Sequence, residues 1–548
     1  MYYNKNQSTV WDSCILYIAH CTLHIAHCTL HIAHCTLHIV HCTLHTAHCT
    51  LFPPDLNLKN GDQIMRNILF IASECYPFIK TGGLADVVGA LPKMLNKDEF
   101  DVRVVIPKYM CIPWEYRQHF NYVTSFYMDL GYLPDHKYVG IMEYYHEGIH
   151  YYFVDNEGYF GGDTPYTNDL KWDIERFTFF SKAALAILPV VGFRPDIIHC
   201  HDWQAALAPV FLRTLFRDNS FFWGTKSMMT IHNLKFQGIW DIKTFRQFTA
   251  FPEYVFTPEN MEYKYDGNML KAGIVFSDYV TTVSDTYAGE IQQPYYGEGL
   301  DGLMRHKNNN LCGIVNGIDY NVYNPEHDIQ IYDHYTPDTF YKKVFNKRGL
   351  QEELGLPVDD SKFMIGIISR LTDQKGLDLV NFVIERIIDE HTQFVVLGTG
   401  DEKYENMFRH YQWRFPDRVS ANIYYSDNRA HKLYAAADAM LMPSRFEPCG
   451  LTQLIALRYG TVPIVRETGG LKDTVQPYNW VENTGTGFSF ANYNADEMLN
   501  SINYAKTVYF TEKDRWHDIA VRGMRMDYSW NNSARRYEDL YRYVMSWW

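Results

Sequence analysis

Long apolar runs and an excess of basic residues are both missing from this chain of 548 residues. No run of about 18 or more consecutive apolar residues occurs, which argues against a membrane-spanning helix. Lys and Arg number 50 against 64 Asp and Glu, and this net charge of −14 argues against nonspecific binding to nucleic acid. We therefore expect neither a membrane nor a nucleic acid among the partners of the protein.

Cysteine is scarce outside the N-terminal region. Six of the eleven cysteines lie in the first fifty residues, and the other five are scattered over the rest of the chain. Sparse cysteines without a paired spacing exclude a disulfide framework and are typical of a reducing compartment. The sequence therefore predicts a cytoplasmic location.

The first 64 residues contain a heptapeptide repeat. From Ile18 to Leu51 the sequence IAHCTLH recurs with almost every position copied, and nine of the 23 histidines lie there. Metal binding by Cys and His, or an amphipathic helix, is an alternative interpretation. A coiled coil keeps its core positions and varies the others, so near-identity at all seven positions favours a recently expanded DNA repeat. We expect residues 1–64 to lie outside the fold, with Met65 as a candidate start.

The rest of the chain contains the same structural pattern twice. Short apolar runs such as NILFIA (67–72) and VRVVI (102–106) alternate with helical stretches, and the alternation resumes at FMIGII (363–368). Buried strands that alternate with helices indicate parallel, doubly wound sheets. The predicted fold class is α/β, with two doubly wound Rossmann-like domains facing a central cleft, where ligands bind at the carboxyl ends of the strands.

The predicted domain boundaries follow from this pattern. The first domain is expected over residues 65–311 and the second over residues 312–527. Residues 528–548 are aromatic and helical, and we expect them to return to the first domain.

The motif TGGLxDxV occurs once in each predicted domain, between a strand and a helix. Paired glycines allow close approach of the backbone, and a helix N-terminus offers free N–H groups to an anion. A tight turn explains a single copy, but two copies favour anion binding. The candidate residues are Lys80, Gly82, Gly83 and Asp86 around the first copy, and Thr468, Gly469 and Gly470 in the second.

Charged and polar side chains follow several predicted strands. Arg370 and Lys375, in SRLTDQKG, can bind phosphate, whereas Glu447, in PSRFEPCGLTQ, can orient sugar hydroxyls or stabilise an oxocarbenium-like centre. A solvated loop and a helix-capping Glu are the alternative interpretations. Three more residues that end strands are expected to line the same cleft: His201, His232 and Asn233.

Taken together, these motifs resemble those of the bacterial and plant glycogen/starch synthases over roughly residues 65–548. The motifs that occur in the family's order are KTGGLADV, HDW, IHNLKFQG, VNGID, SRLTDQKG, PSRFEPCGLTQ and TGGLKDTV. The resemblance implies a glycosyltransferase-B fold and a retaining transfer of glucose from ADP-glucose to the non-reducing end of an α-1,4-glucan. It implies no metal and no other cofactor. UDP-glucose stays open as the donor.

The resemblance also implies roles for residues at the nucleotide end of the cleft. Lys80 and the Gly82-Gly83 loop would contact the nucleotide sugar. Arg370 and Lys375 would neutralise the leaving diphosphate, assisted by the helix that starts at Gly469 and Gly470.

At the sugar end, the resemblance implies that Glu447 holds glucose hydroxyls and that His201 contacts the glucose near the reacting carbon. Tyr425 would stack on the base. Ile455 stands where related retaining families often have a second Glu, and Asp173 receives no role because its segment matches the family less cleanly.

Two other kinds of protein are the alternatives. One is a different transferase of the same architecture, such as a sucrose- or trehalose-type enzyme or a phosphorylase. The other is a glucan-binding relative without catalysis. The presence of Lys80, Arg370, Lys375 and Glu447 favours an active synthase.

Overall fold

The computed structural model describes residues 65–547. The interpretations of the heptapeptide repeat lie outside these residues. Strands β1 to β18 are, in chain order, Arg66–Ile71, Phe100–Pro107, Asn121–Met128, Lys137–His146, Ile149–Asp155, Ile197–His201, Lys226–Ile231, Ile239–Asp241, Glu262–Tyr263, Asp266–Asn268, Tyr279–Thr282, Leu311–Gly313, Phe363–Ile368, Thr392–Leu397, Val419–Asn422, Ala439–Met442, Val462–Arg466 and Phe488–Phe490.

The helices lie between these strands and after the last of them. Their bounds are Gly83–Met94, Trp114–Arg117, Glu157–Phe160, Leu170–Ala186, Leu188–Val191, Asp202–Ala205, Leu207–Arg213, Ile242–Thr249, Met269–Phe276, Asp285–Glu290, Asp301–His306, Lys343–Glu353, Leu377–Ile387, Glu402–Arg414, Asp427–Ala436, Thr452–Arg458, Gly469–Thr474, Ala495–Thr511, Lys513–Arg525 and Trp530–Met545. None of the helices within residues 65–547 has the length and apolar character needed to cross a membrane.

Two large sheets organise the molecule. The first has nine strands in the order β12-β11-β7-β6-β1-β2-β5-β4-β3, and the second has six in the order β15-β14-β13-β16-β17-β18. All neighbours in the second sheet are parallel. A small sheet of order β8-β10-β9 lies beside the first. These two doubly wound sheets confirm the predicted α/β class with two Rossmann-like domains.

One edge of the first sheet departs from the predicted parallel arrangement. Strand β4 is antiparallel to both β3 and β5. The turn between β4 and β5 contains Glu147 and Gly148, both with positive φ (49° and 80°). A two-residue turn of this kind matches the twist of an antiparallel hairpin, so β5 runs antiparallel to β4.

The central strands are buried on both faces because helices cover each sheet on two sides. In β13, Phe363, Ile365 and Ile367 belong to one apolar core, whereas Met364 belongs to another on the opposite face. Successive side chains of a strand point to opposite faces, so a continuous apolar run supplies two cores at once. This explains why the apolar runs in the sequence coincide with the strands.

The helix Trp530–Met545 packs into the core of the first sheet. Its buried residues Tyr537, Leu540 and Tyr541 belong to the same apolar cluster as β1 and β2. At its far end, Arg542 donates to the Glu99 carboxylate over 2.9 and 2.6 Å. The chain therefore forms the second sheet and then returns to add a helix to the core of the first sheet.

Candidate active site

A cavity of about 740 Å³ lies between the two sheets and is lined by loops from both. It adjoins the carboxyl ends of β1, β6 and β7 on one side and of β13, β14 and β16 on the other, as expected for doubly wound sheets. Ten of the predicted site residues line it: Lys80, Gly82, Gly83, Asp86, His232, Asn233, Arg370, Lys375, Tyr425 and Glu447.

Glu447 and Lys375 form a partly buried ion pair in this cavity. The Lys375 Nζ atom donates to Glu447 Oε2 over 2.6 Å, and Ser444 Oγ donates to the same oxygen over 2.9 Å. Gly376 has a φ of 70°, and a Cβ there would lie 2.0 Å from the carbonyl oxygen of Pro443. The loop that carries Lys375 can therefore pack closely on the segment that carries Glu447 only because glycine follows the lysine.

Arg370 lies at the end of β13, and its side chain is exposed to the cavity. None of the ion pairs and hydrogen bonds found within residues 65–547 engages its guanidinium. The group thus keeps its planar set of N–H donors available for a ligand with phosphate oxygens.

The Lys80–Gly83 loop forms the opposite wall of the cavity. The Nζ atom of Lys80 donates to Asp86 Oδ1 over 2.7 Å. Burial alone would lower the pKa of Lys80, but the Asp86 carboxylate raises it, so the lysine stays charged. A Cβ on Gly82 would meet nothing within 4 Å, and no side chain caps the helix that begins at Gly83. The loop therefore presents an uncapped helix N-terminus beside a cation, which suits an anion.

Two histidines, one at the end of β6 and one directly after β7, lie behind and along the cavity wall. His232 lines the cavity, and its Nε2 is 3.0 Å from Nδ1 of His201, which is fully buried behind it. Burial lowers the pKa of His232 to about 3 and lowers that of His201 as well. Both imidazoles are therefore neutral near pH 7. The structure does not place His201 in the lining, but its Nε2 is buried with no hydrogen-bond partner in the described part of the chain.

Asp202 connects the ends of the same two strands. Its carboxylate accepts a hydrogen bond of 2.7 Å from the backbone N–H of His232. Asp202 has a φ of 54°, a left-handed conformation that is uncommon outside glycine and that clusters at functional sites. Burial raises the pKa of its carboxyl to about 7.

The second TGGLxDxV copy does not line the cavity. Thr468 Oγ1 donates to Glu290 Oε1 over 2.9 Å, and Gly469 N donates to both Glu290 oxygens over 3.1 Å. Gly470 N donates to the carbonyl oxygen of Glu447 over 3.1 Å. The anion at this helix N-terminus is therefore a protein carboxylate, and a contact of Thr468, Gly469 or Gly470 with a substrate stays a prediction.

Two acidic residues of the cavity received no role from the sequence. Glu74 follows β1 and accepts hydrogen bonds from Thr81 N and, over 2.7 Å, from Thr81 Oγ1, so it holds the Lys80 loop. Asp173 is buried beside Arg176, with its Oδ1 2.6 Å from the guanidinium. Glu74 could have been found because, like the other site residues, it follows a buried strand. The Asp-x-x-Arg spacing on a helix was the only local signal for Asp173.

Comparisons with known proteins agree with this geometry. The family model for the starch synthase catalytic domain matches residues 67–306, and the model for glycosyl transferases group 1 matches residues 353–516. A glycogen synthase from Lachnospira eligens is 62% identical over 478 residues, which cover 87% of this chain and 99% of the relative. The chain belongs to the glycogen/starch synthase family.

Further members of the family extend the comparison. A glycogen synthase from Lachnoclostridium phytofermentans is 60% identical over 478 residues, again 87% of this chain and 99% of the relative. The solved catalytic domain of starch synthase IV from Arabidopsis thaliana, bound to ADP and acarbose, is 30% identical with a TM-score of 0.80. That match covers 88% of this chain and 100% of the plant domain.

Membership of this family confirms three of the predictions. The family is the one that the motifs resemble, the fold is glycosyltransferase-B, and the protein is a glucosyltransferase of the glycogen synthase kind. Such an enzyme uses a nucleotide-sugar donor and a glucan acceptor.

Proposed function

We propose that this enzyme transfers glucose from ADP-glucose to the non-reducing end of an α-1,4-glucan with retention at the anomeric carbon, and releases ADP. The observation that carries the proposal is the Lys375–Glu447 pair, which faces the Lys80–Gly83 loop within one cavity. A site for a sugar and a site for a diphosphate are thereby adjacent. The related starch synthase IV domain bound to ADP supports the choice of nucleotide. No cofactor is part of the proposal.

The diphosphate end of the donor is assigned to the cations. Lys80, Arg370 and Lys375 line the cavity, and the uncapped helix N-terminus at Gly83 adds partial positive charge. Negative charge develops on the diphosphate as the glycosidic bond breaks, so fixed cations stabilise the transition state more than the ground state. Asp86 holds Lys80 in place, and the exposed ring of Tyr425 is proposed to stack on the adenine.

The glucose end is assigned to Glu447. Lys375 and Ser444 both donate to its Oε2 atom, and Oε1 accepts no hydrogen bond from residues 65–547. Oε1 is thus oriented and available for glucose hydroxyls. The fixed negative charge would also stabilise a positive oxocarbenium-like centre.

The neutral histidines are proposed to recognise hydroxyl groups. His232 and Asn233 line the cavity, and a neutral imidazole can both donate and accept hydrogen bonds. His201 is fully buried behind His232, with its Nδ1 3.0 Å from His232 Nε2, so a contact between His201 and glucose stays a prediction. We also propose a cytoplasmic location, which the five free cysteines of the described chain support.

Incorporation of labelled glucose into glycogen tests the proposal. The full chain is assayed with ADP-glucose and UDP-glucose in parallel, together with Glu447→Ala. We expect ADP-glucose-dependent incorporation that falls by at least about 10²-fold in Glu447→Ala, because a preorganised charge is lost.

The matched control is Glu385→Ala. Glu385 lies on the exposed face of the helix Leu377–Ile387, where its carboxylate pairs with Arg414. This variant should keep wild-type activity. No incorporation from either donor by the folded protein would overturn the proposed function. Preference for UDP-glucose would overturn the donor assignment alone.

A further inference from the structure

Two short helices, one from each domain, cap each other at the domain junction. The helix Asp285–Glu290 follows β11 of the first sheet, and the helix Gly469–Thr474 follows β17 of the second. Glu290 accepts hydrogen bonds from Thr468 Oγ1 over 2.9 Å and from Gly469 N over 3.1 Å. Asp473 accepts hydrogen bonds from Thr286 N over 3.0 Å and from Thr286 Oγ1. Each carboxylate satisfies N–H groups that a helix leaves free at its start.

The two carboxylates have similar bonds but different surroundings. Glu290 is 9% exposed, and its partners Thr468 and Gly469 are buried. Asp473 contacts Thr286 at the outer side of the junction, in a hydrogen bond with exposed groups. The Glu290 cap is therefore the one that reaches into the interior of the second domain.

The segment that Glu290 holds lies directly against the backbone of Glu447. Gly470 N donates to the carbonyl oxygens of Glu447 and Pro448 over 3.1 and 3.2 Å. A Cβ on Gly469 would lie 1.9 Å from the Glu447 carbonyl oxygen, so the two peptides are in van der Waals contact. Displacement of the Thr468–Gly470 segment therefore displaces Glu447.

We propose that Glu290 is a positioning residue for Glu447. A carboxylate of the first domain fixes the peptide segment on which the Glu447 peptide of the second domain rests. Glu447 is then correctly placed only when the two domains meet at this junction. The inference depends on the proposed role of Glu447 in glucosyl transfer.

Three variants of the full chain test this inference against a role in stability alone. Glu290→Ala removes the cap. Glu290→Gln keeps an oxygen that accepts from Thr468 and Gly469. Asp473→Ala removes the reciprocal cap, whose carboxylate accepts from Thr286 and makes no hydrogen bond with the Glu447 peptide. We expect Glu290→Ala to lower kcat by about 10–100-fold, since a misplacement of about 1 Å at a reacting group costs up to about 10²-fold. The KM for ADP-glucose should change by less than about 3-fold, because Lys80 and Arg370 are untouched.

The matched variants separate the two explanations. Asp473→Ala should lower Tm less than Glu290→Ala does, because water can replace its exposed carboxylate, while kcat stays within about 3-fold of the wild type. Glu290→Gln should restore kcat to within about 5-fold, and it keeps the test valid if the alanine variant does not fold. Equal effects of Glu290→Ala and Asp473→Ala on kcat, with Glu447→Ala inactive, would overturn the inference and leave the proposed function standing. Full activity of Glu447→Ala would overturn the inference together with the assignment of Glu447 to the glucose end, and would leave the glucosyl transfer itself standing.

Discussion

Burial fixes the protonation state of His199, in the middle of β6. His199 is fully enclosed, with Nδ1 2.8 Å from the Tyr541 hydroxyl and Nε2 2.6 Å from Thr230 Oγ1. Burial, together with the nearby His232, lowers the pKa of His199 to about 3. A neutral imidazole is therefore part of the folded structure, and its protonation is linked to unfolding.

This linkage predicts the acid sensitivity of the fold. An unfolded His has a pKa near 6.5, so between about pH 6.5 and 3 the unfolded state binds a proton that the folded state does not. The contribution of His199 to stability is full above about pH 6.5 and is lost as pH falls. His199→Gln should lower the slope of the unfolding free energy by about 1.4 kcal/mol per pH unit between about pH 4 and 6. Urea unfolding at a series of pH values measures this slope.

The control for this measurement is His391→Gln, which changes an exposed histidine whose ring lies beside the carboxylate of Glu390 and the ring of Phe510. Its slope should match the wild type. A wild-type slope in His199→Gln would show that His199 does not take up a proton on unfolding.

At the scale of secondary-structure elements, the two TGGLxDxV copies have different environments. Gly82 is exposed at the cavity, with a φ of −161° and nothing within 4 Å of a built Cβ. Gly469 has a φ of 44° and touches the backbone of Glu447. One copy therefore opens onto a ligand site, and the other packs the second domain.

This contrast predicts opposite responses to the same substitution. Gly469→Ala forces a Cβ into the Glu447 carbonyl oxygen, and we expect a loss of at least about 2 kcal/mol of unfolding free energy, from overlap and backbone strain. Gly82→Ala, at the same motif position, should leave Tm unchanged because its backbone is extended and the space is open. Calorimetry of both variants checks the prediction. A similar Tm for the two would mean that the Gly469 segment can relax.

The same comparison shows what the sequence could predict. Strands such as β1 and β13 were predictable because an apolar run encodes burial directly, and Arg370, Lys375 and Glu447 because they follow such strands. The pairing of Lys375 with Glu447 joins residues 72 positions apart, and no local pattern specifies it. The partner of Gly469 was equally hidden, since Glu290 lies in the other half of the chain. Residue types at strand ends indicate a site, whereas contacts between distant loops decide each residue's place in it.

At the scale of the whole molecule, the helix Trp530–Met545 is a structural part of the first domain. Tyr541 is fully buried against Phe100 and His199, with ring centroids 6.0 and 5.8 Å away. Ser533 Oγ donates to the Val315 carbonyl oxygen over 2.6 Å. The domain is therefore built from two segments of chain that are far apart in sequence.

Substitution of Tyr541 measures this contribution. Tyr541→Ala should lower the unfolding free energy by about 3–5 kcal/mol, as expected for removing a large buried aromatic ring. Tyr541→Phe removes only the hydrogen bond to His199 and should cost about 1–2 kcal/mol. Chemical denaturation of the full chain measures both. A cost below about 1 kcal/mol for the alanine variant would show that the helix is dispensable for the first domain.

The position of this helix has a consequence for biosynthesis. The ribosome adds about 5–20 residues per second, so roughly 10–45 s separate the synthesis of β12 from that of Trp530. Throughout that interval the nascent first domain lacks the helix that covers one side of its apolar core. Its last folding step must follow translation of the second domain, and until then the growing chain exposes the apolar surface that this helix later covers.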